Sequence, residues 1–220
     1  MKKDRIGPFV FVDEGSSQKI TTDTLLLSEF VLPIKSTDTV IELGAASGAL
    51  LLSLCAKGLP KMAVGVEIDK AAASAAQKNV ERNNLEDTID IINSDWRDLK
   101  GVLKKGSFSV VVCNPPYVKA GEGRLSPDAK RRAARAETHG TLRDLITALK
   151  YLLAPNGRAC FIFPVKRLVE MLGELEAASL YPGRMRFIYF KKTGSARLFL
   201  IECSNTGGAL VVEEPLYAAT

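Results

Sequence analysis

The chain has 220 residues, 46% of them apolar, enough to bury one good core and too few for two large domains. A formal charge of +5 suits a polyanionic partner, and no apolar stretch approaches membrane-spanning length. Cys55, Cys113, Cys160 and Cys203 lie far apart with no C-x-x-C and a single histidine, His139, which argues against zinc and a disulfide framework and for buried thiols in a reducing cytoplasm.

Met1-Lys2-Lys3-Asp4 is not followed by a signal-peptide core, so residues 1–20 are read as a short amino-terminal extension and 21–220 as one domain. Apolar runs at 39–43, 62–66, 89–92, 108–113 and 158–163 predict five strands. Helical spacing predicts helices over 49–57, 71–83 and 142–153 between them. Strands alternating with helices give an α/β chain with a mostly parallel sheet, helices on both faces and strand order 3-2-1-4-5. Beyond residue 165 come one helix, 166–178, a turn at Tyr181-Pro182-Gly183, and two strands, 187–190 and 198–203, too close for a helical crossover. They are expected to pair as an antiparallel hairpin through 191–195.

The chemistry-bearing residues fall at the carboxyl ends of the predicted strands. After the first, Glu42-Leu43-Gly44-Ala45-Ala46-Ser47-Gly48 places small residues at a strand-to-helix turn, where a ligand can approach free helix N–H groups. It is neither G-x-G-x-x-G nor a P-loop, and a tight structural turn would use the same residues. After the second, Glu67 follows the turn by about twenty residues, the position from which a carboxylate accepts both hydroxyls of a ribose. Asp69 reads as the N-cap of the next helix. After the third, Asn93-Ser94-Asp95-Trp96 sets an acid beside an aromatic, a pair suited to an adenine amino group and ring or to a capping turn.

After the fourth strand comes Asn114-Pro115-Pro116-Tyr117. Proline fixes its own φ and restricts the residue before it, so the corner presents the Asn114 side-chain oxygen and the Pro115 carbonyl as acceptors in set directions. Tyr117 adds a face on which a base can stack. In the expected strand order the first and fourth strands are neighbours at the topological switch, so the glycine turn and this corner share one crevice.

These residues resemble the class I methyltransferases that use S-adenosylmethionine and carry the N-P-P-Y signature of amino-group methylation. The resemblance implies a Rossmann-like domain with a seven-stranded, mostly parallel sheet ending in an antiparallel hairpin. It implies that Gly44 and Gly48 pass the methionine part of the cofactor, that Glu67 holds the ribose, and that Asp95, with Trp96, meets the adenine. Thr22, Asp23, Glu42, Ala46 and Asn114 complete the implied cofactor set, and S-adenosylhomocysteine is the implied product. The departure is Ala46, where the family often has a third glycine.

Further stretches, Lys19-Ile20-Thr21-Thr22-Asp23-Thr24-Leu25-Leu26-Leu27, 133–139, Pro155-Asn156-Gly157-Arg158 and 210–217, resemble the bacterial tRNA adenine N6-methyltransferases that modify an anticodon-loop adenine of a valine tRNA. By that resemblance Asn114, Pro115 and Tyr117 are catalytic, no metal is needed, and the partner is tRNA. Substrate contacts are expected from Pro116, Lys119, Arg124, Arg131, Arg132 and Arg135, in a segment whose Gly, Ser, Pro and charge over 118–132 suit a loop that orders over substrate. Arg184, Arg186, Lys191, Lys192 and Arg197 form a second basic zone. His139 is read as structural or exposed. The same corner also serves methylation of a glutamine side-chain amide or of guanine N2, and a catalytically silent RNA-binding module of this fold is the reading from another class.

Overall fold

Strands β1 (Lys2–Ile6) and β2 (Phe9–Asp13) open the chain as an antiparallel hairpin within the expected amino-terminal extension. The computed structural model describes residues 2–13, 20–115 and 140–218. Five parallel strands follow: β3 (Thr39–Leu43), β4 (Met62–Glu67), β5 (Ile89–Asn93), β6 (Phe108–Cys113) and β7 (Leu153–Pro164). They lie in the order β5-β4-β3-β6-β7, the order expected for a doubly wound sheet. Strand β8 (Tyr181–Tyr189) and strand β9 (Leu198–Ser204) form the expected hairpin, with β9 antiparallel to both β7 and β8. Two short strands, β10 (Val211–Val212) and β11 (Leu216–Tyr217), pair parallel with β8, extending the expected seven strands to nine.

Helices α1 (Thr22–Phe30), α2 (Ala49–Lys57) and α3 (Lys70–Glu81) are joined by α4 (Leu142–Leu152) and α5 (Leu168–Ala177). Side chains alternate across the pleat, so the central run Val110-Val111-Val112 divides between two cores. Val110 and Val112 pack with α1, α2 and the β2 residue Phe11, while Val111 packs with α4 and α5. Burial on both faces is why this strand is continuously apolar.

Local chemistry sets the helix starts. Asp69 Oδ1 accepts the Ala71 and Ala72 N–H groups at 2.9 and 3.1 Å, the capping role read from the sequence. Thr141 and Asp144 cap α4 reciprocally.

The predicted turn at 181–183 is a correction: these residues begin β8, and the chain reverses earlier. Ser179 takes φ +51° at the end of α5, and the Leu180 N–H bonds back to Leu175 O at 2.9 Å, terminating the helix before Pro182 is reached. The stretch Pro155-Asn156-Gly157-Arg158, expected to precede or begin the fifth strand, lies within β7, where pairing with β6 jumps from Phe108↔Leu153 to Val110↔Arg158.

Candidate active site

Register aligns the proposed site along one sheet edge. Leu43 pairs with both Val66 and Cys113, and Val66 pairs with Ile92. Gly44, Glu67, Asn93 and Asn114 are therefore the next residues out on four adjacent strands, roughly 5 Å apart strand to strand.

The turn after β3 uses three left-handed residues, Gly44 at φ +82°, Ala46 at +53° and Gly48 at +83°. An L-residue at that φ costs about 1–2 kcal/mol, which accounts for the family's glycine where this chain has Ala46. A bond offsets the cost here: the Ala46 N–H donates to Glu67 Oε2 at 2.8 Å. Glu67 Oε1 accepts the Asp69 N–H at 2.8 Å, and the residue is 6% exposed. Gly65 in β4 makes room for this packing, because a Cβ there would lie 2.9 Å from Ala45 and Leu51 and 2.8 Å from Ile91.

Glu42, in β3 just before the turn, is 3% exposed. Its Oε2 is buried and has no hydrogen-bond partner among the described residues. Burial, and then the negative charge of Glu67, push its carboxyl well above the usual carboxylate range, against a lowering bond from the Leu51 backbone. A Cβ on Gly44 would sit 3.5 Å from the Trp96 ring, so that ring lies beside the turn. Trp96 Nε1 is likewise buried with no hydrogen-bond partner among the described residues. Asp95 takes the capping role, accepting the Arg97 N–H at 2.8 Å, and its carboxylate also pairs with the Arg97 guanidinium.

Asn114 is half-buried and Pro115 buried at the end of β6. Beyond the end of β7, a groove of about 660 Å³ is lined by Asp23, Pro164, Lys166, Phe190, Arg197 and Leu198 among others. Thr22 opens α1 and is exposed, and Asp23 faces the groove from the same first turn. Pro116, Tyr117, Lys119, Arg124, Arg131, Arg132, Arg135 and His139 lie outside the described residues.

The second basic zone divides in two. Arg184 bonds Glu202 Oε2 at 2.9 Å and Glu213 Oε1 at 3.2 Å and stacks on Phe30, while Arg186 pairs with Glu213 at 2.6 Å. These two arginines belong to a structural network whose acids arrive from β9 and the carboxyl-terminal segment, which spacing in sequence does not reveal. Lys191, Lys192 and Arg197 are exposed in the β8–β9 connection. The four cysteine thiols are buried and free, and burial pushes Cys55 and Cys203 up to about 12.

Glycine turn, acid-bearing strand ends and a 3-2-1-4-5 sheet together define a Rossmann-like methyltransferase. Residues 12–162 match the model of the family described as methyltransferase small domain. The tRNA1(Val) (adenine(37)-N6)-methyltransferase of Shewanella loihica is 31% identical over 180 residues, covering 77% of this chain and 72% of that protein. The protein of the same name from Bacteroides thetaiotaomicron is 27% identical over 209 residues, 94% of this chain and 86% of that one. Among solved structures, a predicted O-methyltransferase from Agrobacterium tumefaciens superposes with a TM-score of 0.67 at 18% identity, covering 89% of this chain and 87% of that one. Geranyl diphosphate C-methyltransferase from Streptomyces coelicolor A3(2), solved with S-adenosyl-L-homocysteine, superposes with a TM-score of 0.60 at 13% identity, covering 83% and 78%. The chain belongs to the methyltransferase small domain family and is an S-adenosylmethionine-dependent methyltransferase.

The residues present fit that cofactor. The unpartnered Glu42 Oε2 and Trp96 Nε1 are buried polar atoms in want of a ligand, Glu42 as acceptor for an ammonium group and Trp96 as donor. Glu67 retains lone pairs for ribose hydroxyls beyond its two backbone bonds.

Proposed function

We propose that this protein methylates the N6 amino group of an adenine in tRNA in the cytoplasm, with Asn114 and Pro115 as the groups that hold the reacting nitrogen. The observation that carries the reading is the register that sets Asn114 beside Gly44, with Glu67 one strand further on. Two relatives named for adenine N6 methylation of a valine tRNA align over most of this chain and support the choice of substrate. No helix among the described residues is long and apolar enough to cross a membrane.

The exocyclic nitrogen of adenine is a poor nucleophile because its lone pair is delocalised into the ring. Asn114 Oδ1 and the Pro115 carbonyl oxygen accept its two hydrogens and favour the more tetrahedral nitrogen of the transition state. When bound, S-adenosylmethionine supplies a sulfonium-activated methyl group. The remaining task of the chain is alignment, which can supply roughly 7–11 kcal/mol of barrier reduction. Neither Asn114 nor Pro115 is basic, so the surplus proton leaves to water. The groove lined by Asp23, Phe190 and Arg197 is the entry we assign to the target nucleoside. Tyr117 is placed by sequence to stack on it, a contact of about 1–3 kcal/mol.

The test is methyl transfer by the purified protein to total tRNA from a strain lacking the gene, followed by nucleoside mass spectrometry. N6-methyladenosine is the expected product. Methylated guanosine, or no RNA product alongside a methylated protein glutamine, overturns the assignment.

A further inference from the structure

Strand β2 meets helix α3 through two asparagines. Val10 N–H donates to Asn83 Oδ1 at 2.8 Å and Asn83 Nδ2 returns a bond to Val10 O at 2.8 Å. Val12 N–H donates to Asn79 Oδ1 at 3.0 Å and Asn79 Nδ2 returns one to Val12 O at 3.2 Å. Each carboxamide stands in for a neighbouring strand residue on the outer edge of β2. The match is metric: two residues along a strand advance about 6.6 Å and four along a helix about 6 Å.

The two asparagines differ in burial and in partners, and Asn79 Oδ1 also accepts from the Arg82 guanidinium at 3.2 Å. Asn79 is completely buried, and its second amide hydrogen goes to Ser47 O, at 3.1 Å, inside the glycine turn. The corresponding bond of Asn83 returns to its own helix, at Asn79 O, 2.7 Å away. One carboxamide thus joins the amino-terminal hairpin to the turn that includes Ala46 and Gly48. Ala76, one turn earlier on α3, packs 3.4 Å from where a Gly48 Cβ would be, so the same helix supports the turn twice.

We propose that Asn79 is a positioning residue for S-adenosylmethionine, holding the glycine turn in its binding shape with the β1–β2 hairpin as its anchor. This rests on the reading that the turn 44–48 receives the cofactor. Without the Asn79 amide, the Asn79–Ser47 bond is lost and the left-handed Ala46 loses a support, so the turn relaxes away from the bound geometry. Touching no reacting atom, Asn79 acts on cofactor affinity and not on the chemical step.

Asn83→Ala is the control, because it removes the matching pair to the hairpin and leaves the turn untouched. Asn79→Ala and Asn83→Ala are compared in the full chain by calorimetric titration with S-adenosylmethionine, by denaturant unfolding, and by steady-state kinetics. At similar losses of stability, Asn79→Ala is expected to weaken cofactor binding about tenfold more than Asn83→Ala, consistent with one buried hydrogen bond, and to raise the cofactor KM with kcat nearly unchanged. Equal affinities in the two variants overturn the proposal. If Asn79→Ala does not fold, hydrogen exchange in the unaltered protein decides it: saturating S-adenosylhomocysteine slows exchange at the Val12 amide more than at Val10, and equal effects overturn it. An unaltered protein that binds no S-adenosylmethionine refutes the underlying cofactor reading instead, an outcome distinct from either.

Discussion

The Ala46 N–H donates to Glu67 Oε2 at 2.8 Å, so the carboxylate proposed to hold the ribose also fixes the turn over which the cofactor passes. Cofactor affinity and turn geometry share one side chain. Glu67→Ala removes both, and S-adenosylmethionine affinity is expected to fall at least 100-fold, the loss of charge-assisted bonds of about 1.5–3 kcal/mol together with a loosened turn. Glu67→Gln keeps one oxygen and should lose less. Calorimetry on the folded variants checks the order, and an unchanged dissociation constant in Glu67→Ala removes this residue from the site.

Glu42 gives a pH signature. Its carboxyl is held well above the usual carboxylate range by burial and then by Glu67, so in the free protein its neutral form persists at pH values where an exposed glutamate is ionised. A group with a raised folded pKa contributes stability that is complete below its unfolded pKa and is lost as pH rises through the folded value. A cationic ligand group favours the ionised form, so S-adenosylmethionine affinity should rise with pH across that window, with proton release on binding. Glu42→Gln should flatten the dependence and relieve the alkaline loss of stability. Titrations in buffers of different ionisation enthalpy measure the released proton, and a flat profile in the unaltered protein excludes the coupling.

The role proposed for Asn114 in holding the reacting nitrogen is confined to the chemical step. Asn114→Ala should lower single-turnover methyl transfer by roughly 10²–10³, as for one well-placed polar group, with cofactor binding nearly intact. Asn114→Asp still accepts a hydrogen bond from the amino group and should retain more activity than Ala. Near-normal rates in Asn114→Ala would leave the corner only a turn-forming role.

The division of the second basic zone predicts opposite phenotypes. Lys191→Glu with Lys192→Glu should weaken tRNA binding and lower the salt slope by about one to two, without affecting stability or cofactor affinity. Arg184→Ala should leave the slope unchanged and destabilise the fold, because it strips a partner from Glu202 and Glu213 and uncovers Phe30. Filter binding across a salt series and denaturant unfolding separate the two.

The sequence by itself determined the strand order and the placement of Gly44, Glu67 and Asn114 at one edge, because apolar runs of strand length separated by helical spacing admit few right-handed, unknotted arrangements. Asp69 and the 191–195 connection were legible for the same reason: capping and hairpin closure are short-range chemistry. Only the tertiary structure decided what depends on partners distant in sequence. Glu202 and Glu213 reach Arg184 from another strand and from the carboxyl-terminal segment, turning an apparent nucleic-acid contact into a structural one. Glu67 reaches back 21 residues to Ala46. Asn79 bonds Val12 across 67 residues and Ser47 across 32, and nothing in a polar residue on an alanine-rich helix announces it. A side-chain amide has no periodicity of its own; its role is set by the backbone that folding brings to it.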